Sequence, residues 1–338
     1  SALAWHARGQ GFKSPQLHVD MDRKVMTTQY AIPAGWDVAD IPDLTGKRYL
    51  ITGGTSGLGR ASALELARHG ADVTITARSA EKGARAISEI GRANFLEMDL
   101  TDLASVRAAA ASITTGFDVV ILNAGVMATP LKSTKDGFEL QMGTNHLGHF
   151  AFAGLIKDFI TERLVVMTSQ AHRMGGFDSG SLEDIRDRCI GAGSYSPWSA
   201  YGASKLANLL FVAHLERLRI INGWSFIPLA AHPGYANTNL QSVGPVMRGN
   251  LLQERFINIG NRVMAQSAES GARPGLCAAT FPGLIGASYL GPDGFMEMRG
   301  HPKLTRGRAI AYDQTLAANL WQVSEELTGV KWEDAPHA

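Results

Sequence analysis

The segment TGGTSGLG, residues 52–59, constrains the fold of this chain more than any other stretch. It follows a short apolar run, KRYLIT, and it opens a segment of helical spacing, GLGRASALELARHG. Its spaced glycines allow a tight turn and a close backbone approach, and the helix that follows presents free N–H groups to an anion. This strand–turn–helix pattern is typical of an α/β domain that binds a dinucleotide, although glycine turns also follow strands for purely structural reasons.

Strand-like and helical segments continue to alternate along the rest of the chain. We predict further strands at 71–77, 93–100, 117–125, 163–169, 224–234 and 287–291. Helical segments separate these strands, so the strands should pair in parallel through right-handed crossovers. The sequence therefore predicts an α/β protein with a doubly wound Rossmann fold, in which a single parallel sheet of about seven strands has helices on both faces.

The domain limits follow from where this alternation starts and stops. We predict one domain over 45–331, an irregular N-terminal extension over 1–44 and a C-terminal tail over 332–338. The stretch 239–275 breaks the alternation, and we interpret it either as a lid over the site or as a helical surface insertion. The segment 137–160 can hold one long helix.

Composition excludes several classes of partner. The formal net charge is +1 with acidic and basic residues mixed, which indicates no surface for nucleic acid or an anionic membrane. The chain has no run of 18 apolar residues and no apolar signal region, so we expect no transmembrane segment and a cytoplasmic location. Cys189 and Cys277 match no metal spacing; we expect free buried thiols rather than a disulfide, and no bound metal.

The end of the second predicted strand bears on the choice of cofactor. An acidic residue there would bind the 2′-hydroxyl of NAD, but the sequence has Thr76, Ala77 and Arg78. An arginine can pair with a 2′-phosphate, and Arg60 could assist it. This favours NADP(H) over NAD(H), although Arg78 could also be a solvated strand end.

Tyr201 and Lys205 lie four residues apart at the start of an apolar helical segment, WSAYGASKLANLLFVA. This spacing places both side chains on one helical face. A free phenol titrates near ~10, and a neighbouring ammonium favours the phenolate, so the pair can act as an acid/base at lower pH. Ser169 ends the preceding predicted strand, at the sheet edge where ligands of such folds bind.

Several motifs taken together resemble a known family. They are TGGTSGLG, Asp99 with Leu100, Asn123-Ala124-Gly125, Asn145 in NHLGHF, Ser169, YGASK, and Pro233 and Gly234 followed by Thr238. In this order they resemble the short-chain dehydrogenases/reductases over about residues 45–300. NHLGHF, TSQAH and SKLANLLF are similar to the retinol-dehydrogenase-like branch.

This resemblance implies roles for individual residues. Tyr201 would be the proton donor in reduction and the base in oxidation, and Lys205 would lower its pKa and bind the nicotinamide ribose. Ser169 would polarise the carbonyl oxygen, and Asn145 would hold a water that relays protons. The implied cofactor contacts are Gly53, Thr55, Ser56, Gly57, Leu58, Gly59, Arg78, Asp99, Leu100, Asn123, Ala124, Gly125, Tyr201, Lys205, Pro233, Gly234 and Thr238.

The sequence thus predicts an NADP(H)-dependent oxidoreductase that acts on a ketone, an aldehyde or a secondary alcohol. The long insertion between Ser169 and Tyr201 and the stretch 239–275 carry apolar residues, which favours a lipophilic substrate. One alternative is an NADP-sensing module without chemistry, and another is a C=C reductase similar to protochlorophyllide reductase. A homodimer or homotetramer could form through the helical segments 137–160 and 198–218.

Overall fold

The structure is a computed structural model that describes residues 31–235 and 266–332. Its centre is a sheet of eight strands: β1 Arg48–Ile51, β2 Asp72–Ala77, β3 Ala93–Glu97, β4 Phe117–Leu122, β5 Ile160–Met167, β6 Ile227–Ala231, β7 Tyr289–Pro292 and β8 Pro302–Leu304. The strand order is β3-β2-β1-β4-β5-β6-β7-β8, and every neighbouring pair is parallel except β7 with β8. This confirms the doubly wound fold, in which the strand order reverses between β1 and β4.

One strand more than the expected seven or so is present. β8 pairs antiparallel with β7, with Leu304 opposite Leu290 and Pro302 opposite Pro292. The strand is three residues long and begins with a proline, which cannot donate a ladder hydrogen bond and is tolerated at a sheet edge. Its sequence therefore carried no recognisable strand pattern.

The helices lie between the strands and on both faces of the sheet. They are α1 Gly57–Arg68, α2 Ala80–Ile90, α3 Leu103–Ala111, α4 Leu140–Met142, α5 Gly148–Leu155, α6 Leu182–Ile190, α7 Pro197–Asn222, α8 Ala268–Thr280 and α9 Gln314–Thr328. None of the helices in the described residues combines the length and the apolar character that a bilayer span requires.

The segment 137–160 does not form the single long helix that its sequence permits. It divides into α4, a π turn over Gly143–Leu147 and α5, and β5 begins at Ile160. The helix starts late because the buried carboxylate of Glu139 accepts hydrogen bonds from the backbone N–H groups of Gln141 and Met142. The helical segment is thus interrupted around Asn145 by a change of helix type.

Successive residues of the central strands enter two different apolar layers. Leu50 and Val120 point into one layer, whereas Ile51 and Ile121 point into the other, and all four are almost fully buried. A strand covered on both faces reads as a continuous apolar run, which is what the sequence shows for β4. The apolar face of α7 after Lys205 packs within this chain, so it is core rather than an open bundle face.

The packed region extends beyond the expected limits of 45 and 331. Trp36, Ile41 and Leu44 are buried in one layer, and Trp332 is fully buried in the other. Residues 239–265 of the stretch 239–275 lie outside the described chain. The last residues of the stretch form the start of α8, which packs against α1. A lid therefore stays a prediction. Both cysteines are buried free thiols, as predicted.

Candidate active site

The carboxyl ends of β1, β2, β3 and β4 surround a cavity of about 540 Å³ at the point where the strand order reverses. Eleven of the expected cofactor residues line it: Gly53, Thr55, Ser56, Gly57, Leu58, Arg78, Asp99, Leu100, Asn123, Ala124 and Gly125. Residues scattered over more than seventy positions of sequence are therefore brought to one place. Thr238 lies outside the described residues.

The glycine turn is shaped to admit an anion. Gly53 and Gly57 have φ values of 69° and 56°, in the left-handed region that favours glycine. Within the described chain, the Ser56 side chain caps none of the first N–H groups of α1, which stay available to a ligand. A side chain at Gly59 would collide with the carbonyl of Gly53. These features fit the pyrophosphate of a dinucleotide.

Thr52 ties the end of β1 to the end of β4. Its hydroxyl oxygen accepts hydrogen bonds from the backbone N–H groups of Asn123 (2.8 Å) and Ala124 (3.0 Å). The side-chain amide of Asn123 donates to the Thr52 carbonyl at 2.9 Å. Asn123 therefore supports the cavity wall through the backbone, and the carbonyl it binds precedes the glycine turn directly.

Two cations face the end of β2. Arg78 is exposed and forms no hydrogen bond or ion pair with any residue that the structure describes. Lys82, one turn into α2, lines the same cavity. The sequence interpretation missed Lys82 because a lysine on a surface helix is usually a solvated charge. Arg60 does not assist here, since it pairs with Glu89 and lines a separate cavity.

Asp99 follows β3 and shapes the adjoining loop. Its carboxylate accepts hydrogen bonds from the backbone N–H (2.9 Å) and the hydroxyl (2.8 Å) of Thr101. Its own N–H donates to the Ser105 hydroxyl at 3.0 Å. These bonds fix the loop that presents Leu100 to the cavity.

Tyr201, Ser169 and Lys205 meet where β5 ends against the first turns of α7. Tyr201 is only 5% exposed, and its phenol is hydrogen-bonded to the Ser169 hydroxyl. The Ser169 oxygen also accepts the N–H of Ala171 at 3.1 Å, which fixes the serine at the start of a 3-10 turn. The Lys205 ammonium donates to the carbonyl of Met167 at 3.2 Å.

Burial dominates the electrostatics of this trio. It raises the pKa of Tyr201 to about 12, against the opposite effect of the Ser169 hydrogen bond, and it lowers the pKa of Lys205 to about 8. Desolvation is the cause in both cases, since it penalises the phenolate and the ammonium alike. The expectation that Lys205 lowers the pKa of Tyr201 stays a prediction.

Asn145 lies within the π turn, a local geometry that is frequent at functional sites. Its side-chain oxygen accepts the Val126 N–H at 2.8 Å, and its amide nitrogen donates to the Val126 carbonyl and the Ser204 hydroxyl, both at 2.9 Å. The side chain thus joins the loop after β4 to α7. A Cβ on Gly125 would lie 2.9 Å from the Asn145 oxygen and 3.7 Å from the Lys205 nitrogen, so these groups are neighbours.

His149 lies between Thr52, at the end of β1, and Asn145 in the π turn. One ring nitrogen lies 2.8 Å from the Thr52 hydroxyl and the other 3.1 Å from the Asn145 carbonyl. Burial lowers its pKa to about 3, so the ring is neutral. The histidine therefore connects the base of the glycine turn to the π turn.

Pro233 and Gly234 follow β6 on the other side of the site. Gly234 has a φ of 71°, and its N–H donates to His232 Nδ1 at 3.2 Å. The Pro233 carbonyl accepts a hydrogen bond from the Gln266 side chain. These residues do not line the 540 Å³ cavity, and neither do Tyr201 and Lys205.

Comparisons with known proteins agree on the type of protein. Residues 47–179 match the family model for short chain dehydrogenases. The chain is 33% identical over 313 residues to human retinol dehydrogenase 14, with 84% of this chain and 87% of that protein covered. It is 32% identical to polyprenol dehydrogenase of Mus musculus, with 87% and 88% covered. A crystal structure of an uncharacterised protein from Mycobacterium paratuberculosis is 39% identical, with a TM-score of 0.75 and coverage of 89% and 100%.

Proposed function

The chain belongs to the short-chain dehydrogenase/reductase family, in its retinol-dehydrogenase-like branch, and on this premise we propose that it is an NADP(H)-dependent oxidoreductase of alcohols and carbonyl compounds. One observation carries the proposal: the buried Tyr201 phenol contacts the Ser169 hydroxyl at the carboxyl edge of the sheet, beside Lys205 and next to the glycine-lined cavity. The Tyr201 phenol, as a proton donor, and the Ser169 hydroxyl can thereby act on the same oxygen atom of a substrate.

NADP(H), when bound, supplies the hydride in reduction and accepts it in oxidation. The residues present fit this group. The uncapped start of α1 would hold the pyrophosphate, and the loop of Asp99 and Leu100 would hold the adenine. Arg78 and Lys82 would bind the 2′-phosphate, because both cations face the cavity and no carboxylate ends β2.

In reduction, Tyr201 donates its proton to the oxygen of the substrate, and in oxidation the phenolate removes the proton of the alcohol. Ser169 holds the same oxygen through its hydroxyl. Lys205 is mostly protonated at pH 7, since its pKa is about 8, and its charge favours the phenolate. Asn145 holds the loop after β4 and the helix α7 in a fixed relative position, and so stabilises the placement of Tyr201 and Lys205 on α7.

The approach to Tyr201 supports a lipophilic substrate. Trp198 lies one turn earlier on α7, is 44% exposed, and meets the Tyr201 ring edge-on with the ring centroids 6.2 Å apart. Met174, on the loop after Ser169, is 59% exposed. Exposed apolar side chains around a reactive group favour an apolar ligand. Retinol and polyprenol, which name two relatives, are lipophilic alcohols.

The test is a cofactor-oxidation assay with NADPH and with NADH against aldehydes, ketones and an enone of increasing apolar chain length. We expect turnover of a carbonyl compound with NADPH, and higher kcat/KM for the longer chains. A preference for NADH would refute the assignment of Arg78. Reduction of the enone at its C=C bond would support the reductase alternative. Tight binding of NADPH without any turnover would support the sensing module.

A further inference from the structure

The segment between β7 and β8 has an unusual backbone. Met296 and Glu297, in the 3-10 turn Phe295–Glu297, have φ values of 50° and 55°. Neither residue is a glycine, and two such residues in succession persist only where the surrounding contacts hold them. The side chain of Met296 is largely exposed, so the contacts that hold the turn must come from its neighbours.

Glu297 supplies these contacts. One carboxylate oxygen accepts hydrogen bonds from His232 Nε2, at 3.0 Å, and from the side-chain amide of Gln170. The other oxygen accepts a hydrogen bond from the Thr305 hydroxyl, and the Lys303 ammonium lies 3.9 Å away. A single carboxylate thus joins the ends of three strands, β5, β6 and β8.

The contact with His232 reaches the turn after β6. His232 is fully buried, and its Nδ1 accepts the N–H of Gly234 at 3.2 Å. The proton of the ring therefore lies on Nε2, and this N–H donates a hydrogen bond to Glu297. A second contact reinforces the first, because the carbonyl of Met298 accepts the N–H of Tyr235 at 2.7 Å. The strained segment therefore supports the Pro233–Gly234 turn at two points.

The contact with Gln170 reaches the other side of the site. Gln170 directly follows Ser169, and its side-chain oxygen accepts a hydrogen bond from Arg173 Nε at 2.9 Å. Its position is therefore fixed from both ends of the amide. Glu297 consequently links the segment that carries Ser169 to the segment expected to contact the cofactor.

The charge states agree with this geometry. The hydrogen bond from His232 is the main cause that holds the pKa of Glu297 at about 2, and burial keeps the pKa of His232 below its usual value. The remaining charged groups that face the pair are Arg173 and Lys303. An ionised carboxylate and a neutral imidazole therefore persist throughout the neutral range.

We propose that Glu297 is a positioning residue, which sets the Pro233–Gly234 turn against Ser169 through His232 and Gln170 and so prepares the nicotinamide end of the cofactor site. This inference rests on the proposed function. It concerns a residue that no motif in the sequence marked, and it predicts an effect on cofactor affinity rather than on proton transfer.

The test is a fluorescence titration of NADPH with the purified full chain. We expect E297Q to weaken binding about tenfold, because one charge-assisted hydrogen bond is lost, while kcat at saturating NADPH changes by less than about threefold. H232Q should weaken binding by no more than E297Q, since it removes only one of the two contacts through which Glu297 acts, and the double variant E297Q/H232Q should be no weaker than E297Q. E325Q is the matched control, a partly buried carboxylate on α9 that accepts the N–H of Trp332, and its affinity should equal that of the wild type.

Equal NADPH affinity for E297Q and the wild type would overturn the inference, and so would additive losses in the double variant. If E297Q does not fold, T305V removes only one hydrogen bond from the carboxylate; we expect a loss of about threefold, and unchanged affinity would again overturn the inference. A wild-type chain that binds neither NADPH nor NADH would refute the proposed function itself, which is a distinguishable result.

Discussion

The ammonium nitrogen of Lys205 lies 5.8 Å from the centre of the Tyr201 ring, and its hydrogen bond goes to the carbonyl of Met167. The lysine is thus held near the phenol by a backbone group rather than by the phenol itself. Because Lys205 is almost fully buried, keeping it charged costs folding free energy, and this cost is tied to the chemistry that we propose.

The first prediction is that Lys205→Met abolishes turnover and raises the free energy of unfolding by about 1–3 kcal/mol at pH 7. The pKa of about 8 in the folded chain lies below the ordinary value of 10.5, so the charged lysine destabilises the fold fully below pH 8. The difference in the free energy of unfolding between Lys205→Met and the wild type should shrink as the pH rises from 8 towards 10.5. Urea unfolding at pH 7 and pH 10 measures it. Lys135→Met, which removes an exposed lysine paired with Asp102, should give no gain.

The second prediction concerns the proton donor. Tyr201→Phe should lower kcat about 10²- to 10⁴-fold and weaken the affinity for NADPH far less, because only the hydroxyl is removed. Tyr49→Phe is a matched control, since Tyr49 is also buried and burial also raises its pKa to about 12, but it lies in β1 within the opposite apolar layer. Comparable losses in both variants would contradict the mechanism.

The third prediction tests cofactor choice. Arg78→Ala should weaken NADPH binding roughly 10- to 100-fold and leave NADH binding nearly unchanged, because a charged contact to the 2′-phosphate is lost. Arg85→Ala offers a control, as Arg85 is an exposed arginine on α2 that pairs with Glu81. Titration of both cofactors with each variant decides the matter; equal effects on NADPH and NADH would refute the assignment.

The fourth prediction is a loss of stability in acid. Burial lowers the pKa of His146 to about 4 and of His149 to about 3, so below pH 6.5 the unfolded chain binds protons that the folded chain does not. Each histidine should cost about 2 kcal/mol of unfolding free energy at pH 5 relative to pH 8. Burial raises the pKa of Glu139, which acts in the opposite direction.

Denaturant unfolding of the wild type and of His146→Gln at pH 8 and pH 5 checks this prediction. The variant should lose about 2 kcal/mol less than the wild type between the two pH values. An equal loss in both proteins would show that His146 titrates normally in the folded chain.

The sequence predicted the sheet and the glycine-lined cavity because both depend on local patterns. Apolar runs identify strands buried on both faces, and a parallel sheet brings their carboxyl ends together. Gly53, Arg78 and Asp99 could therefore be placed around one cavity although they are far apart in sequence.

Other features depend on contacts that no local pattern encodes. Trp36 belongs to the core, but it lies in a segment without periodicity, and no local pattern marks it as a core residue. Glu297 is placed by three partners that follow the ends of three separate strands. The pKa of Tyr201 depends on how deeply α7 is buried, which the spacing of Tyr201 and Lys205 does not reveal.

The π turn over Gly143–Leu147 also bears on how this segment can vary in length. A π turn is one residue inserted into an α-helix, and each residue of an α-helix turns the chain by about 100°. Deleting a residue there would rotate Asn145 relative to the Val126 loop or turn the apolar side of α5 towards solvent. A shortened chain would therefore have to give up either the site or the core.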